Sequence, residues 1–143
     1  MAFFVFDLDG TLALNEHPQH FLEKTPKDWD GFFEACSDDA PNWPVITALN
    51  SLQERHQVEI WSGRSEAVRG KTEAWLLNFN MNPDRLKRMR PVGDFTPDDE
   101  LKMQWLKECG ERRPWAVFDD RAKVVAMWRE AGIACFQVAE GNF

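Results

Sequence analysis

"FFVFDLDGTLAL", residues 3–14, decides the fold: four apolar residues run without a break into Asp7 and Asp9, two positions apart, and Gly10-Thr11 then turns the chain. A continuous rather than alternating apolar run suits a strand buried on both faces, as in a parallel sheet covered by helices. "VEIW" (58–61), "WAVF" (115–118) and "IACFQV" (133–138) are runs of the same kind, and a further strand is expected near 86–90. Helical patterns lie between them. Pro44 suits a first turn, with Val45, Leu49 and Leu52 on one face. Val68, Trp75 and Phe79 repeat that spacing. Thr96 is the expected N-cap of the next helix, with Pro97 in its first turn ahead of Leu101, Trp105 and Leu106. Val124, Val125 and Trp128 mark the last helix, which Gly132 can close. Strand and helix thus alternate along the chain. That order predicts an α/β sandwich with a mostly parallel central sheet, helices on both faces, and a ligand site outside the carboxyl ends of the strands.

The stretch 13–43 is too long for an ordinary connection between the first strand and the first main helix. Thr25-Pro26-Lys27-Asp28 reads as a helix start, and Trp29, Phe32, Phe33 and Cys36 then share a face. A small cap element inserted over the site is expected there, within a single domain spanning 1–143 and with no kinase domain. The 143 residues, 43% hydrophobic and 29% charged, have the profile of a soluble globular domain. No apolar run approaches the roughly 20 residues that span a bilayer, and "MAFFVF" lacks the features of a leader, so no membrane association and a cytoplasmic location are expected. Cys36, Cys109 and Cys135 are widely spaced and odd in number, which suggests neither a disulfide framework nor a metal knuckle. A formal charge of −7 argues against coating nucleic acid through a broad basic face, yet allows a local grip on one phosphate.

Four features fall at strand ends or between them: "DLDGT", "SGR" (62–64), Lys102 and "DDR" (119–121). Together they describe a phosphoryl-transfer site. A carboxylate such as Asp7 can attack phosphorus and form an aspartyl phosphate, which divides one difficult hydrolysis into two easier steps. Asp9 can protonate the leaving oxygen and later activate water. Carboxylates so concentrated repel one another, and a hard cation with oxygen ligands, Mg²⁺, is the expected cofactor, with Asp7 and Asp119 as side-chain ligands. Ser62 can donate to a phosphate oxygen, Gly63 lets backbone approach, and Lys102 supplies positive charge.

In this combination and order, Asp7-x-Asp9-Gly10-Thr11, Ser62, Lys102 and Asp119-Asp120 resemble the four motifs of the haloacid dehalogenase (HAD) superfamily of phosphatases. Within it, "DDRAKVVAMWREAGIACFQVAEGNF" (119–143), "SGR" and "DDELK" (98–102) resemble the 3′-phosphatase domain of bacteriophage polynucleotide kinase/phosphatase. The resemblance covers most of the chain outside roughly 25–43. It implies a HAD-like Rossmannoid three-layer sandwich and Mg²⁺-dependent removal of a 3′-phosphate, or of a 2′,3′-cyclic phosphate, from DNA or RNA ends. It implies Asp7 as nucleophile and Asp9 as general acid/base, with Thr11, Ser62, Gly63, Arg64, Asp98 and Lys102 as phosphate or substrate ligands. Asp7, Asp9, Asp119 and Asp120 are then the expected metal ligands. A separate kinase or ligase is a partner the resemblance suggests, and the oligomeric state is left open.

The chain departs from that family at "LNEHPQH" (14–20), where the family carries an arginine; His17 or His20 are candidate replacements. Simpler readings remain for single residues: Asp98 as a helix-dipole carboxylate, Arg64 as a solvated charge, Asp120 as a helix cap. "SEAVRGKT" (65–72) ends like a phosphate-binding loop, but Ser65 stands where that loop needs glycine, and the segment reads as helix rather than as the turn after a strand. Trp75, Trp105 and Trp128 are expected core residues, Trp29, Phe32 and Phe33 candidate base-stacking residues, and Arg90 a candidate phosphate contact. Two rival functions stay open. One is a nucleotidase or small phosphate-ester phosphatase, the other a non-catalytic binding module on the same fold.

Overall fold

The computed structural model describes residues 3–14 and 39–142. The expected cap helix, His17, His20, Trp29, Phe32, Phe33 and Cys36 lie outside the described residues. Five strands form a parallel sheet: β1 (Phe3–Phe6), β4 (Gln57–Ser65), β5 (Leu86–Arg90), β6 (Ala116–Asp119) and β7 (Ala134–Gln137). Their spatial order is β5-β4-β1-β6-β7, every pairing parallel. The chain therefore starts in the middle, builds outward to β5, returns across β1 and builds outward again to β7. The crevice at such a reversal, outside the carboxyl ends of β1 and β6, is where an open α/β sheet holds its ligand.

Alternate side chains of β1 feed two cores. Phe3 and Val5 join Trp61, Val117 and the buried faces of α3 (Asp98–Glu108) and α4 (Ala122–Glu130), including Trp105 and Trp128. Phe6 joins Val58, Ile60 and the buried faces of α1 (Trp43–Leu52) and α2 (Arg69–Asn78). Helices thus cover both faces, and continuous apolar strands are what two buried faces require. Trp75, Trp105 and Trp128 are buried as expected. Among the described residues, no helix is long and apolar enough to cross a membrane.

Three local expectations are corrected. β4 runs on through Ser62-Gly63-Arg64 to Ser65, with pairing irregularities at Ile60/Trp61 and between Ser62 and Ser65. "SGR" therefore sits on an irregular strand end, which re-aims its side chains, rather than beyond the strand. It follows that "SEAVRGKT" does come straight off a strand, through a 3₁₀ turn at Glu66–Val68, although the missing glycine still separates it from a phosphate loop. The helix after β5 is capped by Pro97, not Thr96, because the Thr96 carbonyl accepts from Arg90 and its amide donates to Asp94 Oδ1.

The sequence did not announce β2 (Ala13–Leu14) and β3 (Ala40–Pro41), an antiparallel ribbon too short to leave a pattern. It joins the two ends of the long insertion. Asn42 ties this neck to the β1 turn, donating its amide to Leu12 O at 2.8 Å and its side-chain amide to Thr11 O at 2.9 Å.

Candidate active site

Asp7 leaves β1 with its amide still bonded to Phe118 O of β6 at 2.9 Å, so its side chain emerges beside that of Asp119. The next residues then turn tightly. Leu8 O accepts the amides of Thr11, Leu12 and Ala13, and Gly10 takes φ +81°, a conformation that glycine adopts without strain. A Cβ at Gly10 would stand 2.0 Å from Asp120 Oδ2, so the residue is also the gap through which the Asp120 carboxylate enters. Thr11 Oγ1 lies 3.5 Å from Asp7 Oδ2 and 3.4 Å from Asp120 Oδ1.

Lys102, on the buried face of α3, completes this centre. Its Nζ donates to Asp7 Oδ1 at 2.8 Å and to Asp119 Oδ2 at 3.0 Å. Asp119 Oδ1 accepts the amides of Asp120 and Arg121. One oxygen each from Asp7, Asp119 and Asp120 lie within 4.8 Å of one another, all three residues buried. Asp120 is therefore part of the acidic cluster and not a helix cap; Arg121 occupies the N-cap of α4, without a side-chain cap bond.

Three carboxylates face one ammonium, and the electrostatics show the imbalance. Burial and the charge of Asp119 push the Asp7 carboxyl well above its usual range against the pull of Lys102. Burial and Asp119 likewise raise Asp120 to about 7. Burial alone would discharge Lys102, but Asp119, Asp7 and Asp98 outweigh it and hold the ammonium firmly protonated. With no further cation the cluster is relieved by protons. An all-oxygen, net-negative and buried donor set of this kind fits a hard divalent cation.

The imbalance has a consequence for stability. Asp120 binds its proton more tightly folded (about 7) than unfolded (about 3.9), so in chelator-treated protein stability should fall as pH rises through that window, and the raised Asp7 carboxyl acts in the same direction. Urea midpoints across pH 4.5–8 in EDTA check this. Asp120→Asn should flatten the slope, and an unchanged slope in that variant would contradict the cluster's charge balance.

Of the four expected metal ligands, Asp9 stands apart. Its carboxylate lies in the fork of Arg64, with Nε 3.0 Å from both oxygens and Nη2 2.6 Å from Oδ1. Arg64 is 2% exposed, which removes its reading as a solvated charge. It also approaches Asp39 Oδ2 at 3.6 Å and donates to Thr72 Oγ1 at 3.3 Å.

Asp98 is held from two sides, by Arg90 Nη2 at 2.9 Å and Arg121 Nη1 at 3.4 Å. Burial alone would raise its carboxyl, but Lys102, Arg121 and Arg90 outweigh it and lower it. Helix dipole is therefore not its main partner. Gly63 packs against Asp98, whose Oδ1 would lie 2.3 Å from a Cβ there. Arg90 also donates to the carbonyls of Gly63, Asp94 and Thr96, so the candidate phosphate contact is instead a staple that fixes the β5–α3 loop.

A cleft of about 370 Å³ opens over these groups. Asp7, Asp9, Gly63, Asp98 and Asp120 line it, whereas Ser62, Arg64 and Lys102 are buried at 0%, 2% and 1% exposure behind its wall. Ser62 Oγ accepts the Arg64 amide at 3.1 Å, leaving its hydroxyl proton to give. Sequence reasoning missed Arg121 as a partner of Asp98, although it closes the "DDR" motif. It also missed the loop residues Val92 and Phe95 on the cleft's outer wall, for which no pattern existed.

A buried carboxylate cluster bridged by lysine at the switch point of a parallel sheet defines the class: a HAD-family phosphatase domain. Residues 2–143 match the family model described as "Polynucleotide kinase PNKP phosphatase domain", and the chain belongs to that family. A protein of Autographa californica nuclear polyhedrosis virus, inferred to be a bifunctional polynucleotide kinase/RNA ligase, is 31% identical over 131 residues, 89% of this chain and 18% of its own. A chain of the Pnkp1/Rnl/Hen1 complex superposes with a TM-score of 0.79 at 30% identity, over 98% of this chain and 46% of its own. The protein thus spans less than half of either relative. A HAD family enzyme from Bacteroides thetaiotaomicron, solved with magnesium and inorganic phosphate, shares the fold at a TM-score of 0.55 and 13% identity, over 96% of this chain and 93% of its own.

Proposed function

We propose that the chain is a Mg²⁺-dependent phosphatase that removes a 3′-phosphate, or a 2′,3′-cyclic phosphate, from nucleic-acid ends. The observation that carries this reading is the Asp7–Lys102–Asp119–Asp120 cluster at the floor of the cleft, in a chain matched almost end to end by a polynucleotide phosphatase family model. Asp7, Asp119 and Asp120 would hold the cation, which supplies charge neutralisation for the carboxylates and the phosphoryl oxygens.

Asp7 Oδ1 is occupied by Lys102, so Oδ2 is the oxygen left to attack phosphorus. On a 3′-phosphate, as the Asp7–phosphorus bond forms, the bond to the 3′ oxygen breaks and Asp9 gives that oxygen a proton; a cyclic phosphate would need a second such cycle to break the bond to the 2′ oxygen. Asp9 then takes a proton from water, which attacks phosphorus, releases inorganic phosphate and restores the Asp7 carboxylate. Arg64 positions Asp9 throughout. Lys102 stays protonated and offsets charge at the attacking carboxylate, while Ser62 and the backbone around Gly63 and Thr11 would receive the phosphoryl oxygens. Asp98, tied to Arg90 and Arg121, fixes the start of the helix that carries Lys102.

The test is phosphate release from a 3′-phosphorylated oligonucleotide, a 3′-mononucleotide and a 5′-mononucleotide, with Mg²⁺ and with EDTA. Preference for the oligonucleotide together with loss in EDTA supports the reading. Preference for a mononucleotide favours the nucleotidase reading, which the net charge of −7 recommends. No hydrolysis of any of them, or of an activated phosphate ester, would leave a binding module. The relatives' names suggest a kinase or ligase as partner, in the same polypeptide or a separate one, and a ligase would join the 3′-hydroxyl that dephosphorylation leaves. The insertion that leaves the fold at the β2–β3 ribbon would serve as a cap over the cleft.

A further inference from the structure

We propose that Phe95 is a stacking platform for the base of the terminal nucleotide, a subsite in the same cleft as Asp7; the inference rests on the 3′-end reading above. Phe95 is 92% exposed and Val92 71% exposed, both on the loop that joins β5 to α3 and forms the outer wall of the cleft. Their exposure is built into the loop. Arg90 donates to Asp94 O at 3.2 Å and Thr96 O at 2.5 Å, the residues on either side of Phe95. Asp94 Oδ1 accepts the Thr96 amide at 2.8 Å, and the Asp94 amide donates to Pro91 O at 3.1 Å. The backbone bracketing Phe95 is thus fixed from the site side, so the loop loses little further freedom when a ligand covers the ring.

The cleft lining combines two kinds of surface: the buried carboxylates of Asp7 and Asp120, where the phosphoryl group would react, and the exposed apolar side chains of Pro91, Val92 and Phe95. A nucleotide likewise combines two, charged at the phosphate and flat and weakly polar at the base. About 370 Å³ lies within the range of small-ligand sites. The charges beside Phe95 are offset within the wall, Asp94 and Asp98 by Arg90, Asp98 also by Arg121 and Asp99 by Lys123, so the ring is an apolar surface there that a base can meet. Every base has a π-face, so the subsite should tolerate any base while rejecting its absence.

The test compares two 3′-phosphorylated oligonucleotides that differ only in whether the last sugar carries a base. Phe95→Ala should lower kcat/KM on the base-bearing end by roughly 5- to 150-fold, the span measured for single base–aromatic stacks. The loss should appear mainly in KM, be much smaller on the abasic end, and be recovered by Phe95→Trp. Equal losses on both ends, or no loss on the base-bearing end, would overturn the subsite. A parent chain that acts on 5′-mononucleotides but on neither 3′ end would overturn the 3′-end reading itself, and the subsite with it. Phe95 makes so little contact with the fold that loss of folding is not expected to confuse these outcomes.

Discussion

Asp7→Asn should abolish phosphate release, with turnover lower by on the order of 10³-fold or more, the scale seen when a covalent nucleophile is removed. The amide nearly preserves shape, so the side chain keeps its place at the end of β1 and can still accept from Lys102, while losing the anionic oxygen that attacks. It also removes one of three crowded negative charges, and burial and Asp119 already push the Asp7 carboxyl toward its neutral form. The variant should therefore be at least as stable as the parent in EDTA at pH 8, with activity and stability moving in opposite directions. Single-turnover phosphate release and urea melts on the same preparation read both quantities. Turnover surviving in a well-folded Asp7→Asn chain would exclude the covalent route.

Lys102→Met carries the second large effect, of the opposite kind. Met replaces the aliphatic stem but removes the one ammonium that bridges Asp7 and Asp119 at 2.8 and 3.0 Å. Breaking a buried ion pair by deleting one partner typically costs about 3–5 kcal/mol, because the remaining charge is stranded. That loss is expected in EDTA at pH 8 and should shrink near pH 5, where the carboxylates can take up protons. Saturating Mg²⁺ should recover part of the stability. Activity should stay down by roughly 10²–10³-fold, the effect of losing one pre-positioned electrostatic group. A variant as stable as the parent at pH 8 in EDTA would mean that Lys102 does not balance the cluster.

Much of this was legible because it is one-dimensional. An apolar run ending in Asp7-x-Asp9 marks both a buried strand and what emerges from it, and the recurrence of that pattern at 58–61 and 115–118 gave the sheet. The order of Ser62, Lys102 and Asp119 then located the site. What could not be read were partnerships between side chains far apart in sequence. Nothing in "SGR" says that Arg64 will grip Asp9, 55 positions away. Arg90 and Arg121 converge on Asp98 only after three elements have packed. The shift of the cap from Thr96 to Pro97 has a nearer origin: Arg90 and Asp94, in the preceding strand end and loop, claim the carbonyl and amide of Thr96. Phe95 was illegible for another reason: an isolated phenylalanine in a proline-flanked loop carries no periodicity at all.

The β2–β3 ribbon, two residues on each side, pairs Leu14 with Ala40 and Ala13 with Pro41. Whatever chain runs between those partners has its ends clamped together before it begins. Lengthening such a loop costs little, about 0.6 kcal/mol for each doubling. The reaction chemistry and the rim that meets substrate are thereby free to diverge at separate rates: descendants of this domain could exchange the insertion wholesale, and with it the range of ends they admit, while the aspartates beneath keep their places.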